Sequence, residues 1–377
     1  MAGKKKICFL QVAHYPNDDR VFFHQTELLR RNNFDVSIIS TRYKCLDLES
    51  DFCFDDSGMA KSAVSKEISQ ILIKIKPDII ICDNPLAVYF ASKYKRKFQK
   101  NVKIIIDVTE WYPSKKNLVN LNTFKRFIKK NALKMLNFYS GFVVDGFVFG
   151  EYHKAKMFKK RFKRKAFVDL PYYPDLKYIK QANTKSDFAN WNFLYAGSLT
   201  KEKGFENVIK AVNACALNNS NCNFVLNVIS SNIPSKEQSD YISQMPGNVE
   251  VIFKNTLPFV DFCKEIANYD LFFDLRETDN ENNKCLPIKL FYYMACGRPM
   301  IFSNLDAIRL QVPEIDEFGA LTNPEDYENI SKIVSGYIAD NDKYNKHSAT
   351  ALEYSRKKYN WDLIADGFVK FITNELD

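Results

Sequence analysis

Short apolar runs and longer amphipathic stretches alternate along almost the whole chain, and that alternation limits the folds open to it. In the first half KKICFLQVA, DVSIIS, DIIICDN, VKIIIDV and GFVVDGFVFG read as strands, while FHQTELLRR, SKEISQILIKI and LAVYFASKYKRKF carry helical spacing between them. Strands separated by helices argue for a parallel sheet covered on both faces. AFVDLPYYPDLKYIKQANTKSDFANW then interrupts the pattern, being polar, aperiodic and interrupted by two prolines. The alternation restarts with NFLYAGS, ENVIKAVNACAL, CNFVLNVIS, VEVIFKN and DLFFDL, and continues through CLPIKLFYYMACG into PMIFS and FGALTNP. The expected class is α/β, with two doubly wound Rossmann-like domains facing a central cleft at the carboxyl ends of their strands. Residues 1–168 form the first domain, 169–190 a linker and 191–355 the second domain, and 356–377 are a helix returning to the first.

A chain of 377 residues exceeds one ordinary core, and 46% hydrophobic residues suffice to bury two. Nine cysteines without C-x-x-C pairs or histidines at zinc spacing favour neither a disulfide framework nor a metal site, so a reducing cytoplasm is expected. MAGKKKICFLQVAHYP reads as a first strand, because its apolar run is short and no small-residue cleavage site follows. No window reaches bilayer length, which leaves peripheral membrane contact. The net charge of +9 fits an anionic partner: a nucleotide, a lipid surface or a nucleic acid. Neither zinc-finger spacing nor an RNA-recognition motif is present, and no nucleic-acid partner is expected.

CLPIKLFYYMACGRPMIFS places a lysine, Lys289, in the first turn of a helix, where unpaired N–H groups and the dipole favour an acid. Pro287 suits the opening turn, Leu290, Phe291, Met294 and Ala295 the buried side, and Gly297 the C-terminal cap. YAGSLTKEKGFENVIKA repeats the device, with Lys203 and Gly204 between a strand and a helix. Helix N–H groups, a glycine that admits close backbone approach and a lysine make a diphosphate cradle that needs no metal. Each lysine alone reads equally as a solvated loop residue; the pair points to a nucleoside diphosphate.

NFLYAGSLTKEKGFENVIKA together with LPIKLFYYMACGRPMIFSNLDAI resembles the nucleotide-binding half of the retaining family-4 glycosyltransferases, also called glycosyl transferases group 1, of GT-B fold. HYPNDDRVFFHQTELLRRNNFDVSIIS resembles the family's opening, IIIDVTEWYP its Asp-x-His-Glu stretch and YYPD its interdomain turn. The resemblance implies sugar transfer from a nucleotide diphosphate donor with retained anomeric configuration, and no cofactor or required metal. Lys203 matches the family's phosphate lysine, and Gly197 and Gly204 its flanking glycines; Ser198 stands where the family often has arginine. The Glu-x7-Glu pair falls on Lys284 and Tyr292, so both carboxylates are missing. Tyr292 retains a phenol for one ribose hydroxyl. Glu277, Asp279 and Glu281, in the acidic loop RETDNENN, are candidates for ribose or sugar contacts, and Pro287 and Ile288 line the same turn. Asp279-Asn280-Glu281 otherwise reads as a surface loop.

In the first domain Thr109 replaces the family histidine, while Asp107 and Glu110 remain. His14 at the end of the first strand, with Asp18 and Arg20 after it, is placed on the acceptor side beside Thr109. Trp111 and Tyr112 suit stacking on a sugar or packing between domains. FKRFIKKNALKML, residues 124–136, combines five basic residues with an apolar stripe and no acid. The stripe alone reads as a surface helix with its apolar side in the core; with its charge it also fits an anionic membrane surface. The expectation is therefore a retaining glycosyltransferase at the cytoplasmic face of a membrane, using a nucleotide sugar and a glycan or lipid-linked acceptor. Its catalytic groups would be Lys203, Lys289 and Glu110. The other reading is a non-catalytic GT-B protein that binds a sugar, a lipid or a partner.

Overall fold

The computed structural model describes residues 4–12, 14–42 and 51–374. Met1–Gly3, which begin the basic opening, lie outside the described residues. The chain divides into two compact units, Met1–Tyr172 with Ile364–Asp377, and Tyr173–Leu363.

The first unit carries seven parallel strands: β1 (Lys6–Gln11), β2 (Asp35–Ser40), β3 (Asp51–Cys53), β4 (Ile79–Cys82), β5 (Lys103–Val108), β6 (Gly146–Phe149) and β7 (Ala166–Asp169). Their spatial order is β3-β2-β1-β4-β5-β6-β7. β1 pairs with β2 from Lys6 opposite Asp35 and with β4 from Ile7 opposite Ile79, so the strand order reverses direction beside β1. The second unit has β8 (Asn190–Ala196), β9 (Asn223–Ile229), β10 (Val249–Lys254), β11 (Leu271–Asp274), β12 (Met300–Ser303) and β13 (Ala320–Thr322), in the order β10-β9-β8-β11-β12-β13. Here the reversal lies between β8 and β11. Loops leaving the carboxyl ends of strands at such reversals are where open α/β sheets bind ligands.

Period-2 alternation assigns each strand residue to a face. Phe193 and Tyr195 pack on one side with Phe205, Val208 and Val212 of the Phe205–Asn218 helix; Leu194 packs on the other with Leu290, Phe291 and Met294. Phe272 stacks on Tyr293 at 4.0 Å and 7°. Tyr173, Tyr178, Ile179 and Ala182 join this second cluster, so residues 173–190, expected as a linker, pack as part of the second unit. β7 runs across the boundary at residues 168 and 169 where that linker was expected to begin, and the three-residue β3 carried no sequence signal. The final helix, Asp362–Asn374, belongs to the first unit from Ile364 onward, where Lys5 Nζ donates to Ile372 O at 3.2 Å.

The Thr123–Val143 helix departs from the core-packed expectation. Residues 122–130 are exposed throughout, and the helix buries only Ser140 and Gly141. Phe124 is 73% exposed, Phe127 66%, Ile128 51% and Met135 73%. The helix docks through its last turns, where Ser92 Oγ and the Tyr139 hydroxyl share a 2.9 Å hydrogen bond. No helix among the described residues is long and apolar enough to cross a membrane. Cys8, Cys82, Cys215, Cys222, Cys263, Cys285 and Cys296 form no disulfide, whereas Cys53 is disulfide-bonded, a bridge that the cysteine spacing did not predict.

Candidate functional site

In the second unit the loop leaving β8 is clamped from beneath. The Tyr195 hydroxyl donates to Ser198 O at 2.6 Å and to Lys203 O at 3.1 Å, while Lys203 N donates to Thr200 Oγ1 at 3.4 Å. Gly197 N bonds Ile229 O, fixing the loop's first residue to the neighbouring strand. Gly204 has φ +80°, and a Cβ there would fall 2.0 Å from Leu275 O. Only glycine allows the loop to lie so close to the exit of β11. Lys203 Nζ stands 3.5 Å from Glu202 Oε1, both side chains about two-fifths exposed. A pair this open is readily exchanged for another anion.

The exit of β11 supplies a cation that sequence reasoning missed. Arg276 grips Asp274 with Nε to Oδ1 at 2.6 Å and Nη2 to Oδ2 at 2.5 Å, both side chains 13% exposed. Burial works against its charge, but the Asp274 carboxylate outweighs it and holds the guanidinium above its ordinary range. Ser303 Oγ at the end of β12 donates to Arg276 O at 2.6 Å. The following loop is tied to the lysine turn, since Glu277 N donates to Glu202 O at 3.2 Å. Asp279 shapes that loop, accepting from Glu281 N at 2.8 Å and Asn282 N at 3.0 Å. Its carboxylate thus serves the turn, while Glu281 stays half-buried.

Lys289 is the first residue of the Lys289–Cys296 helix and every later residue of it is buried. Gly297 closes the helix at φ +81°. Pro287 is buried, and Ile288 and Lys289 are half-buried. Tyr292 is 5% exposed, its ring edge-on to Phe259 at 5.9 Å, and it lies in the apolar cluster. Because β8 and β11 are adjacent and parallel, the helices that follow them start at the same edge of the sheet. Lys203, Arg276 and Lys289 therefore belong to one edge.

The first unit gathers a second set at the exits of β1, β4 and β5. Asp83, which sequence reasoning passed over, accepts from Val12 N at 3.0 Å and His14 N at 3.3 Å through Oδ2. Thr109 Oγ1 donates to Asp83 O at 3.4 Å, and Lys154 Nζ to Thr109 O at 2.5 Å. His14 Nδ1 is 3.6 Å from Asp18 Oδ2. Burial and the neighbouring Asp19 push the Asp18 carboxyl up to about 6, with His14 opposing. Arg20, placed by the sequence beside these residues, turns inward instead. It is 5% exposed, pairs with Asp107 at 2.7 Å and 3.1 Å, and lies 4.3 Å over the Tyr172 ring. Glu110 is half-buried after β5, as are Trp111 and Tyr112. Among the described residues no group of three or more His, Cys, Asp or Glu is placed to hold a metal ion.

This pair of parallel-sheet Rossmann-like units is the GT-B fold. No family model matches the chain, and no curated protein matches it in sequence. Solved structures do match. Sucrose-phosphate synthase from Thermosynechococcus elongatus superposes with a TM-score of 0.73 at 13% identity, over 98% of each chain. HepE of Anabaena, in complex with UDP-glucose, gives 0.71 at 13% identity over 98% of this chain and 99% of that one. WaaG, a glycosyltransferase involved in lipopolysaccharide biosynthesis, gives 0.71 at 11% identity over 98% and 100%.

Proposed function

We propose that the chain is a retaining glycosyltransferase whose second unit holds a nucleoside diphosphate sugar and whose first unit receives a glycan or lipid-linked acceptor. The observation that supports this reading is that the loops bearing Lys203, Arg276 and Lys289 leave one sheet edge at a strand-order reversal, with Gly204 lying close against the exit of β11. Arg276 takes the charge that the resembled family often places at the position of Ser198. The UDP-glucose bound by the similar HepE structure supports a uridine diphosphate donor.

In this mechanism the bond from the sugar's anomeric carbon to the diphosphate oxygen breaks while the acceptor oxygen attacks on the same face. The acceptor proton passes to the leaving diphosphate. The three cations and the helix N–H groups stabilise the charge that grows there, and losing one well-aligned donor costs roughly 3 kcal/mol of transition-state energy. Glu110 and His14 stand on the acceptor side. The cytoplasmic face of a membrane is the proposed location, with the Thr123–Val143 helix as the peripheral contact. No metal is required.

The second reading, a binding protein without turnover, draws on Tyr292, which puts a core-packed phenol where the family has a carboxylate. Incubation with UDP-, GDP- and CMP-sugars, with and without a lipid-linked acceptor, decides between them. Release of nucleotide together with a glycosylated acceptor is expected. Binding without release identifies the non-catalytic protein, and a sugar nucleotide isomerised without acceptor identifies an epimerase.

A further inference from the structure

The Thr123–Val143 and Tyr152–Arg161 helices flank a cavity of about 530 Å³ in the first unit. That volume lies within the roughly 300–1,000 Å³ typical of small-molecule sites. Trp111, Phe138, Phe162, Met135 and Met157 give it apolar walls, and no carboxylate is among its lining residues. Lys134 and Arg161 line it as exposed cations, the Arg161 guanidinium 4.0 Å over the Phe138 ring. The same helix continues into the exposed basic and aromatic face of residues 124–130.

Apolar walls, two cations and no acid describe a receptor for an apolar chain with an anionic oxygen-rich head. We infer that this cavity binds one chain of a lipid phosphate, the chain among the aromatic side chains and the phosphate on Lys134 and Arg161. The inference deepens the lipid-linked acceptor reading and rests on it for its biological role.

Calorimetry of farnesyl monophosphate against the full chain tests it, with farnesol as the uncharged comparator. One site per chain is expected for the wild type. Met157→Trp, which fills the cavity from a 42% exposed position, weakens binding at least tenfold with the melting temperature preserved. Lys134→Gln with Arg161→Gln weakens farnesyl phosphate about tenfold and leaves farnesol unchanged. No binding to the wild type, or undiminished binding to Met157→Trp, overturns the site. Phosphatidylglycerol vesicles, offered to the protein with Lys125, Arg126, Lys129 and Lys130 exchanged for glutamine, separate the two sources of such a chain: residual vesicle binding lost with Met157→Trp identifies a bilayer phospholipid, and vesicle binding that Met157→Trp leaves unchanged identifies a free lipid phosphate. UDP titrated into the same proteins keeps the two failures apart. Loss of the lipid site leaves UDP binding intact, whereas failure of the nucleoside diphosphate site removes UDP binding from every protein, wild type included.

Discussion

Lys289 sits where its helix's own electrostatics oppose it, at a cost of a few tenths of a kcal/mol to about 1 kcal/mol that a bound phosphate reverses. Lys289→Met is therefore expected to remove most of the stabilisation by a nucleoside diphosphate. Lys203→Met should likewise remove that stabilisation, since the pair it makes with Glu202 is about two-fifths exposed on both sides. Arg276→Gln should differ, lowering the ligand-free melting temperature as well, because it strands the Asp274 carboxylate at 13% exposure. Differential scanning fluorimetry with and without UDP reads all three, and an undiminished UDP-induced rise in the melting temperature of Lys289→Met would contradict this assignment. Asp18 offers a pH test. A carboxyl raised to about 6 from 3.8 binds its proton more tightly in the folded state, so its contribution to stability falls as pH rises between about 4 and about 6. Asp18→Asn keeps the cap and lacks the charge; its melting temperature relative to wild type should rise from pH 4 to pH 7, and a flat difference would refute the assignment. The places of Lys203 and Lys289 at helix starts were legible because each stands at a fixed offset from a glycine or proline that marks a helix boundary. Arg276 was hidden within an acidic run, and Arg20 could not be placed because its partner, Asp107, is 87 residues away.

At the scale of elements the Thr123–Val143 helix shows what periodicity cannot decide. An apolar stripe has the same spacing whether it meets a core or a lipid surface. Exposure of Phe124, Phe127 and Ile128 beside Lys125, Arg126, Lys129 and Lys130 fits the lipid surface. Each basic residue near an anionic membrane contributes roughly 1 kcal/mol, so exchanging all four for glutamine should weaken vesicle binding by about 4 kcal/mol, close to a thousandfold. The variant should keep its circular dichroism, since residues 122–130 are exposed, and wild-type binding should decline as salt rises. Sedimentation of the variant with phosphatidylglycerol vesicles at wild-type levels would refute the contact. The strands were legible where five or six apolar residues ran together. β3 and β7, three and four residues long, are too short to show a period and exist by pairing with neighbours already formed.

For the whole molecule, the two sheets followed from alternation alone, because a parallel strand must be reached through a crossover and the crossovers are visible as helical stretches. The segment 173–190 was not legible as part of the second unit; its tyrosines find partners such as Phe291 and Phe259, more than 80 residues onward. In the proposed mechanism the lysines, Arg276 and helix N–H groups take the place of a divalent ion on the diphosphate. Transfer should therefore proceed undiminished in EDTA, and a magnesium-reversible loss would redirect attention to the carboxylates of residues 277–281. The central claim, that the second unit is a nucleoside diphosphate site, is tested most directly by titrating UDP into the wild type and the Lys203→Met and Lys289→Met variants in a calorimeter. The account predicts saturable one-site binding to the wild type and at least a tenfold loss in each variant; equal affinity in all three would contradict it.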